Sequence, residues 1–353
     1  MGARFDKSAE PFAAIASRIE PSSLRNQIPR SGGRFLFPYG VDSVMLFATA
    51  ESVCEALRSG VPIESASTLT PIIHDALKKR LEDHSRSHSS VQWGLGTRRA
   101  LEGSAADKQL RSNCGVTRSL VAGLLGHEHL AQPICGATHT HPSAIQGAQA
   151  IARSVHLAVS HSRLSFLDDF SDIPSYAKIV GKAAELATQK PYIEEDEFNT
   201  ILQDRFRARF GADASSQCAV AAAVFALHRT VHSLPHLDAT SKEYRARISM
   251  VSHAGEAKKK LGIAKNTLGN SNRLDAASIF AALTPSIEQD LPVALAVSWA
   301  ISLGGDVRSN ACLAGGIAGA LWGEEGIPEE WLMFAEGTDR AREVADLLFA
   351  TRS

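Results

Sequence analysis

The sequence is short of the features that mark membrane, secreted or nucleic-acid-binding chains. Neither sign of charge dominates: lysine and arginine number 37 against 38 acids, a formal charge of -1, so no electrostatic surplus draws the chain to nucleic acid or to a membrane surface. A small, localised ligand is the expected partner. The five cysteines, Cys54, Cys114, Cys135, Cys218 and Cys312, are odd in number and include no CxxC pair, which argues against a disulfide framework and a zinc site. A reducing compartment such as the cytoplasm is expected. The N-terminus, "MGARFDKSAEPFAAIASRIEP", has no continuous apolar core and carries charge at Asp6, Lys7 and Glu10, so it reads neither as a secretory signal nor as a span. Asp6 stands where a myristoylation motif wants Ser or Thr. Continuous β-branched runs and internal repeats are also missing.

What is present is helical spacing. In "DSVMLFATAESVCEALRSG", Val44, Phe47 and Ala48 sit at i, i+3, i+4, and Val53, Ala56 and Leu57 repeat the pattern before Gly60. Asp42 or Ser43 is the expected cap of this helix. The same reading holds for "SAIQGAQAIARSVHLAVS", "CAVAAAVFALHRTVH", "LDAASIFAAL" and "LPVALAVSWAISL". The breaks "TQKPYIEEDE", "GADASSQ" and "HSLPHLDATSKEYR" are short and polar, and Lys242 to Lys260 reads as a solvated helix or loop. Glu82 to Gln92 reads as the most loop-like segment; its His84 and His88 have metal spacing only if that segment is helical. With 44% hydrophobic residues, the chain reads as one compact all-α domain.

Three stretches look like ligand loops at helix starts: "FPYGVDSVM", "LRSNCGVTRSLVAGLL" and "LGGDVRSNACLAGG". Helix starts present unpaired N–H groups and partial positive charge, which suit phosphate or carboxylate. Asp42, Ser43, Asn113 and Asp306 are equally good N-caps with no ligand at all. In "ATHTHPSAIQG", His139 or His141 either touches a ligand or closes the turn. Ala311, Gly315 and Gly319 recur at four-residue spacing in "ACLAGGIAGALWG", a run too short for a span of ~20 residues and suited to tight helix packing.

These blocks resemble the ADP-ribosylglycohydrolase family. "ISLGGDVRSNACLAGGIAGALWGEEGIPEEW" is similar to its C-terminal signature, and "YGVDSVMLFATAESV", "SNCGVTRSLVAGLL" and "THTHPSAIQGAQAIARSVHLA" are similar to its earlier blocks in the same order. "LGNSNRLDAASIFAAL", or alternatively "FGADASSQCAVAAAVFAL", resembles the glycine-led helix before the last signature. The resemblance implies a single orthogonal all-α bundle over 31–353, with 1–30 a divergent N-terminal segment, and two magnesium ions in a central cleft. It implies cleavage of a glycosidic bond between ADP-ribose and a protein side chain, and partners that are ADP-ribose-like nucleotides or ADP-ribosylated proteins.

The departures fall where the metals would sit. The family's threonine-aspartate-aspartate-threonine lands on Gly40, Val41, Asp42 and Ser43, and its last aspartate-threonine-aspartate-threonine on Asp306, Val307, Arg308 and Ser309. The N-terminal acidic block has no counterpart; Pro21 and Ser22 stand there, with Glu20 the nearest acid. Two carboxylates therefore remain as metal ligands and catalytic groups, Asp42 and Asp306, and magnesium is doubtful as a cofactor. Ser43, Asn113, Gly115, Arg118, His139, Arg308 and Ser309 are the expected ligand-binding positions. Arg118 either serves the ligand or pairs with a buried acid, Arg111 stands where it could help grip a phosphate, and Arg308 is expected to form an internal ion pair or to replace a cation. The expected function is nucleotide binding with weak or lost hydrolysis, a pseudoenzyme; the alternatives are an active metal-assisted hydrolase and a structural or partner-binding protein.

Overall fold

The computed structural model describes residues 40–86, 91, 93–103, 111–161, 170, 173–190, 195–233 and 291–352. The N-terminal segment, His88, Lys242 to Lys260 and the helix expected in "LDAASIFAAL" lie outside the described residues. Within them the chain is helical, with one isolated antiparallel bridge between Ser112 and Ser215.

Helix α1 (Val41–Arg58) packs on α2 (Ala66–Arg86), which α3 (Leu95–Leu101) follows. Short helices α4 (Cys114–Arg118), α5 (Leu120–Leu125) and α6 (Ala131–Gly136) lead to the long α7 (Pro142–His161). After α8 (Pro174–Ala187), α9 (Glu195–Phe210) and α10 (Ser216–Ser233), the C-terminal part comprises α11 (Pro292–Ser302), α12 (Val307–Trp322), α13 (Glu329–Phe334) and α14 (Thr338–Arg352). The spacings read from the sequence thus become α1, α7, α10 and α11. Arg86 extends α2 through the first half of the segment expected as loop. His84 there accepts from Trp93 Nε1 at 3.3 Å, an aromatic-edge contact.

Two apolar clusters share the interior. One is built by α7 to α12 around Phe198, Phe206, Phe225 and Trp299; the other by α1, α2, α5, α6 and α14 around Met45, Leu69, Ile73 and Leu130. Fully burying each such side chain contributes roughly 1.5–3 kcal/mol. Helix α7 serves both, since Ile151 and Val155 face the first and Ala148 and Ala152 the second. The tight packing expected of α12 is found, but not on the whole of the expected face. A Cβ on Gly315 would lie 3.1 Å from Val297, and one on Gly316 would lie 2.8 Å from Leu120, while Gly319 faces open space. The closest approach therefore belongs to Gly316, where α12 rests on α5.

Candidate functional site

The starts of α1, α4 and α12 converge where the two clusters meet. Gly304 and Gly305 bend the chain into α12 with φ of +78° and +72°, values that disfavour any residue with a Cβ. A Cβ on Gly305 would also meet the Ala212 backbone at 2.9–3.1 Å. Asn310 fastens the turn by donating its Nδ2 to the Gly304 carbonyl at 3.2 Å. Asp306 then caps α12, its Oδ1 accepting from the Ser309 amide at 3.4 Å, as expected of a capping acid.

Asp42 behaves otherwise. The N-cap of α1 is Gly40, so neither Asp42 nor Ser43 caps the helix. Asp42 is one residue inside the first turn and points into the protein, 7% exposed, while Ser43 is half-buried on the next position. Thr117 Oγ donates to Asp42 Oδ1 at 3.2 Å. Ser309 Oγ lies 3.3 Å from Asp42 Oδ2 and 3.1 Å from Asp306 Oδ2. Asn113 Nδ2 completes the cluster, donating to Asp306 Oδ2 at 3.1 Å.

A serine hydroxyl has one proton, so Ser309 satisfies one carboxylate at a time. The other must turn a lone pair toward an oxygen unless a proton or a cation lies between them. Burial is the first cause that raises the Asp42 pKa, to about 6, and the neighbouring Asp306 charge is the second; the hydroxyls of Thr117 and Ser309 and the Arg308 charge pull the other way. The pair is therefore set to take up positive charge.

Arg308 does not fill that need by direct contact. It is exposed and forms no ion pair with Asp42 or Asp306, which corrects the expectation of an internal pair in "GGDVRSN". Two residues beyond the cap, its side chain leaves the helix toward solvent, and Ser309 is the residue that joins the two acids.

The second group of expected residues forms a buried chain beside the carboxylates. Arg118, fully buried, donates to the Cys114 carbonyl at 3.0 Å, the Ile134 carbonyl at 3.2 Å and Thr138 Oγ at 2.5 Å. Its partners are thus carbonyls and a hydroxyl, not the buried acid that was one expectation. Thr138 Oγ is 2.7 Å from His139 Nδ1, and His139 Nε2 meets Ser112 Oγ. Arginine only donates, so Thr138 accepts from Arg118. Burial and the Arg118 charge drop the His139 pKa to about 3, which keeps the ring neutral. A neutral imidazole carries one hydrogen, so His139 donates to one of its two hydroxyl neighbours and accepts from the other.

The remaining expected residues serve packing. A Cβ on Gly115 would lie 2.6 Å from Cys135 Sγ, so this glycine lets α4 lie against α6. His141 closes its turn by accepting from the Ser143 amide at 3.1 Å, and exposed Arg111 donates to its Nε2 at 3.1 Å. Sequence reasoning passed over Thr117, Ser112 and Asn310. Thr117 had a signal, a polar side chain directly before Arg118 in a block already read as a ligand loop.

An all-helical protein with an acidic pair, one member buried and one half-buried, at the meeting of three helix starts is the class that fold and site define. A family model described as ADP-ribosylglycohydrolase matches residues 2–353, and the chain belongs to that family. A 53-residue stretch is 42% identical to ADP-ribosylhydrolase ARH3 of Danio rerio, a match that spans 15% of this chain and only 14% of that protein. A solved structure described as an ADP-ribosylglycohydrolase-related protein complex aligns with a TM-score of 0.50 at 17% identity, covering 88% of this chain and 81% of that one; this is a likeness of fold. Among the described residues no helix is long and apolar enough to cross a membrane.

Proposed function

We propose that the protein binds ADP-ribose or a related nucleotide diphosphate, with hydrolysis of the ADP-ribosyl bond weak or lost. One observation carries the reading: Asp42 and Asp306 close on the single hydroxyl of Ser309, and among the described residues no third acid joins them. Two carboxylates with nearby hydroxyls fit one hard cation that keeps several waters. They do not fit two magnesium ions held by bridging acids.

Asp42 and Asp306, with Ser309, would hold such an ion. Once bound, magnesium supplies positive charge at the ribose and a more acidic water. The chain's own residues do the rest. Thr117 and Asn113 hold the carboxylates in place, and His139 holds the Ser112 hydroxyl beside them. Exposed Arg308 offers a fixed charge to a diphosphate. A retaining or inverting glycosidic cleavage needs a second carboxylate free to act as acid or base. With both acids committed to the cation, no residue among those described fills that role.

The test is calorimetric titration of ADP-ribose with magnesium and then with a chelator, beside an assay of ADP-ribose release from a modified protein. Binding with release at least 100-fold below that of an active family member is the expected result. Full hydrolytic turnover would overturn the loss of activity, and absence of binding in both conditions would overturn the ligand.

A further inference from the structure

Away from the carboxylates, α8, α9 and α10 enclose a cavity of about 300 Å³ lined by Ser175, Lys178, Ile179, Lys182, Arg209, Phe210 and Gln217. Four of these come from α8 at positions i, i+3, i+4 and i+7, the spacing of one helix face. Arg209 and Phe210 end α9, and Gln217 lies in the first turn of α10. The floor is apolar, formed by half-buried Ile179 and Phe210.

The lining is one-sided in charge: Lys178, Lys182 and Arg209 contribute three cations and no acid. Glu185, at the edge of the hollow, lies 3.7 Å from Arg209, with its side chain 68% exposed. A protein surface of near-zero net charge has no general reason to gather three cations around one hollow, and their mutual repulsion falls when an anion enters. The first turn of α10, an 18-residue helix, adds partial positive charge at the same place, and Gln217 adds a side-chain amide donor, while the Ser175 hydroxyl is held by Gln146 at 2.7 Å. We propose that this cavity binds a small organic phosphate monoester, its dianion between Lys178, Lys182 and Arg209 and its carbon part on Ile179 and Phe210. The volume is at the lower end of small-molecule sites, which suits a ligand of that size and excludes a whole dinucleotide.

The cavity is joined to the carboxylate site by one short segment. From Phe210 and Gly211 the chain passes Ala212, packed under Gly305, Ala214, whose carbonyl accepts the Asn113 amide at 3.0 Å, and Ser215, bridged to Ser112. A ligand in the cavity therefore presses on the backbone that supports Asn113 and Ser112. The proposal does not depend on the reading of the carboxylate site.

Phenyl phosphate and inorganic phosphate are the probes, titrated into the full chain by calorimetry at constant ionic strength. Saturable binding is expected, tighter for phenyl phosphate, and weakened at least 10-fold in Lys182→Gln and in Arg209→Gln. Glu185→Gln should tighten it by freeing Arg209, and Lys78→Gln, at an exposed cation of α2 away from both sites, should leave it unchanged. Because the altered side chains lie at the surface, circular dichroism checks that each variant folds. No saturable binding, unchanged affinity in the two folded variants, or a loss in Lys78→Gln would overturn the assignment, and equal affinity for the two probes would overturn the role of the apolar floor.

Discussion

Asp42 and Asp306 share one hydroxyl but live in opposite surroundings. Asp306 caps α12 and receives two amide donors, from Ser309 and Asn113; Asp42 caps nothing, is buried in the first turn of α1 and receives only hydroxyls. Amide donors cannot turn away, whereas hydroxyls can rotate toward another acceptor: Thr117 Oγ is also 3.1 Å from the Cys114 carbonyl. One acid is therefore fixed in place by the fold, and the other is left for a ligand or a proton to stabilise. Closely spaced acids do not make equivalent ones when their donors differ in kind.

The largest effect expected from breaking this contrast is that of Asp306→Ala. It removes the α12 cap and leaves the buried Asn113 amide without its acceptor, a loss of about 3 kcal/mol that urea denaturation would read. Any magnesium-dependent binding of ADP-ribose should disappear with it, by calorimetry.

Asp42 carries the pH dependence. Its folded pKa, raised from 3.8 to about 6, means that between those values the folded protein holds a proton that the unfolded chain releases. Stability from this group is present below pH 4 and falls as the pH rises through 6, by up to about 3 kcal/mol. Asp42→Asn should flatten that slope, seen as a smaller difference in unfolding midpoint between pH 5 and pH 8. Magnesium should add stability at pH 8 and little at pH 5 in the parent protein, where protons compete for Asp42.

Thr117→Val sharpens the contrast from the other side. It removes a donor that favours the charged form of Asp42, costs about 1 kcal/mol at pH 8, and moves the pH midpoint upward. Arg308→Ala should move the same midpoint upward by less, with a stability change within about 0.5 kcal/mol because the side chain is exposed. Unfolding curves across pH separate the two.

How far the sequence speaks can be judged at single residues. The Gly304–Gly305 turn, the Asp306 cap and the helices α7, α10 and α11 rest on local chemistry, and the blocks that resemble the family survive as local strings. The two candidate acids could be named for the same reason. Misreadings arose where a local rule met a distant partner. Asp42 is a good cap by type, yet the cap fell to Gly40 because Thr117 and Ser309 hold the Asp42 carboxylate inside. Arg118 took carbonyls left over by the short turns of α4 and α6, since a five-residue helix leaves most of its acceptors unpaired.

By itself the sequence determined an all-helical chain, the glycine bend before Asp306 and the identity of two candidate acids, because periodicity, capping and residue type act over a few positions. Only the tertiary structure decided that Ser309 stands between two acids, that Arg308 faces solvent, and that Arg118, Thr138, His139 and Ser112 form one chain. Asp42 and Ser309 are 267 positions apart, and their meeting depends on how α12 seats Gly316 against α5, a fit of surfaces that no local pattern encodes.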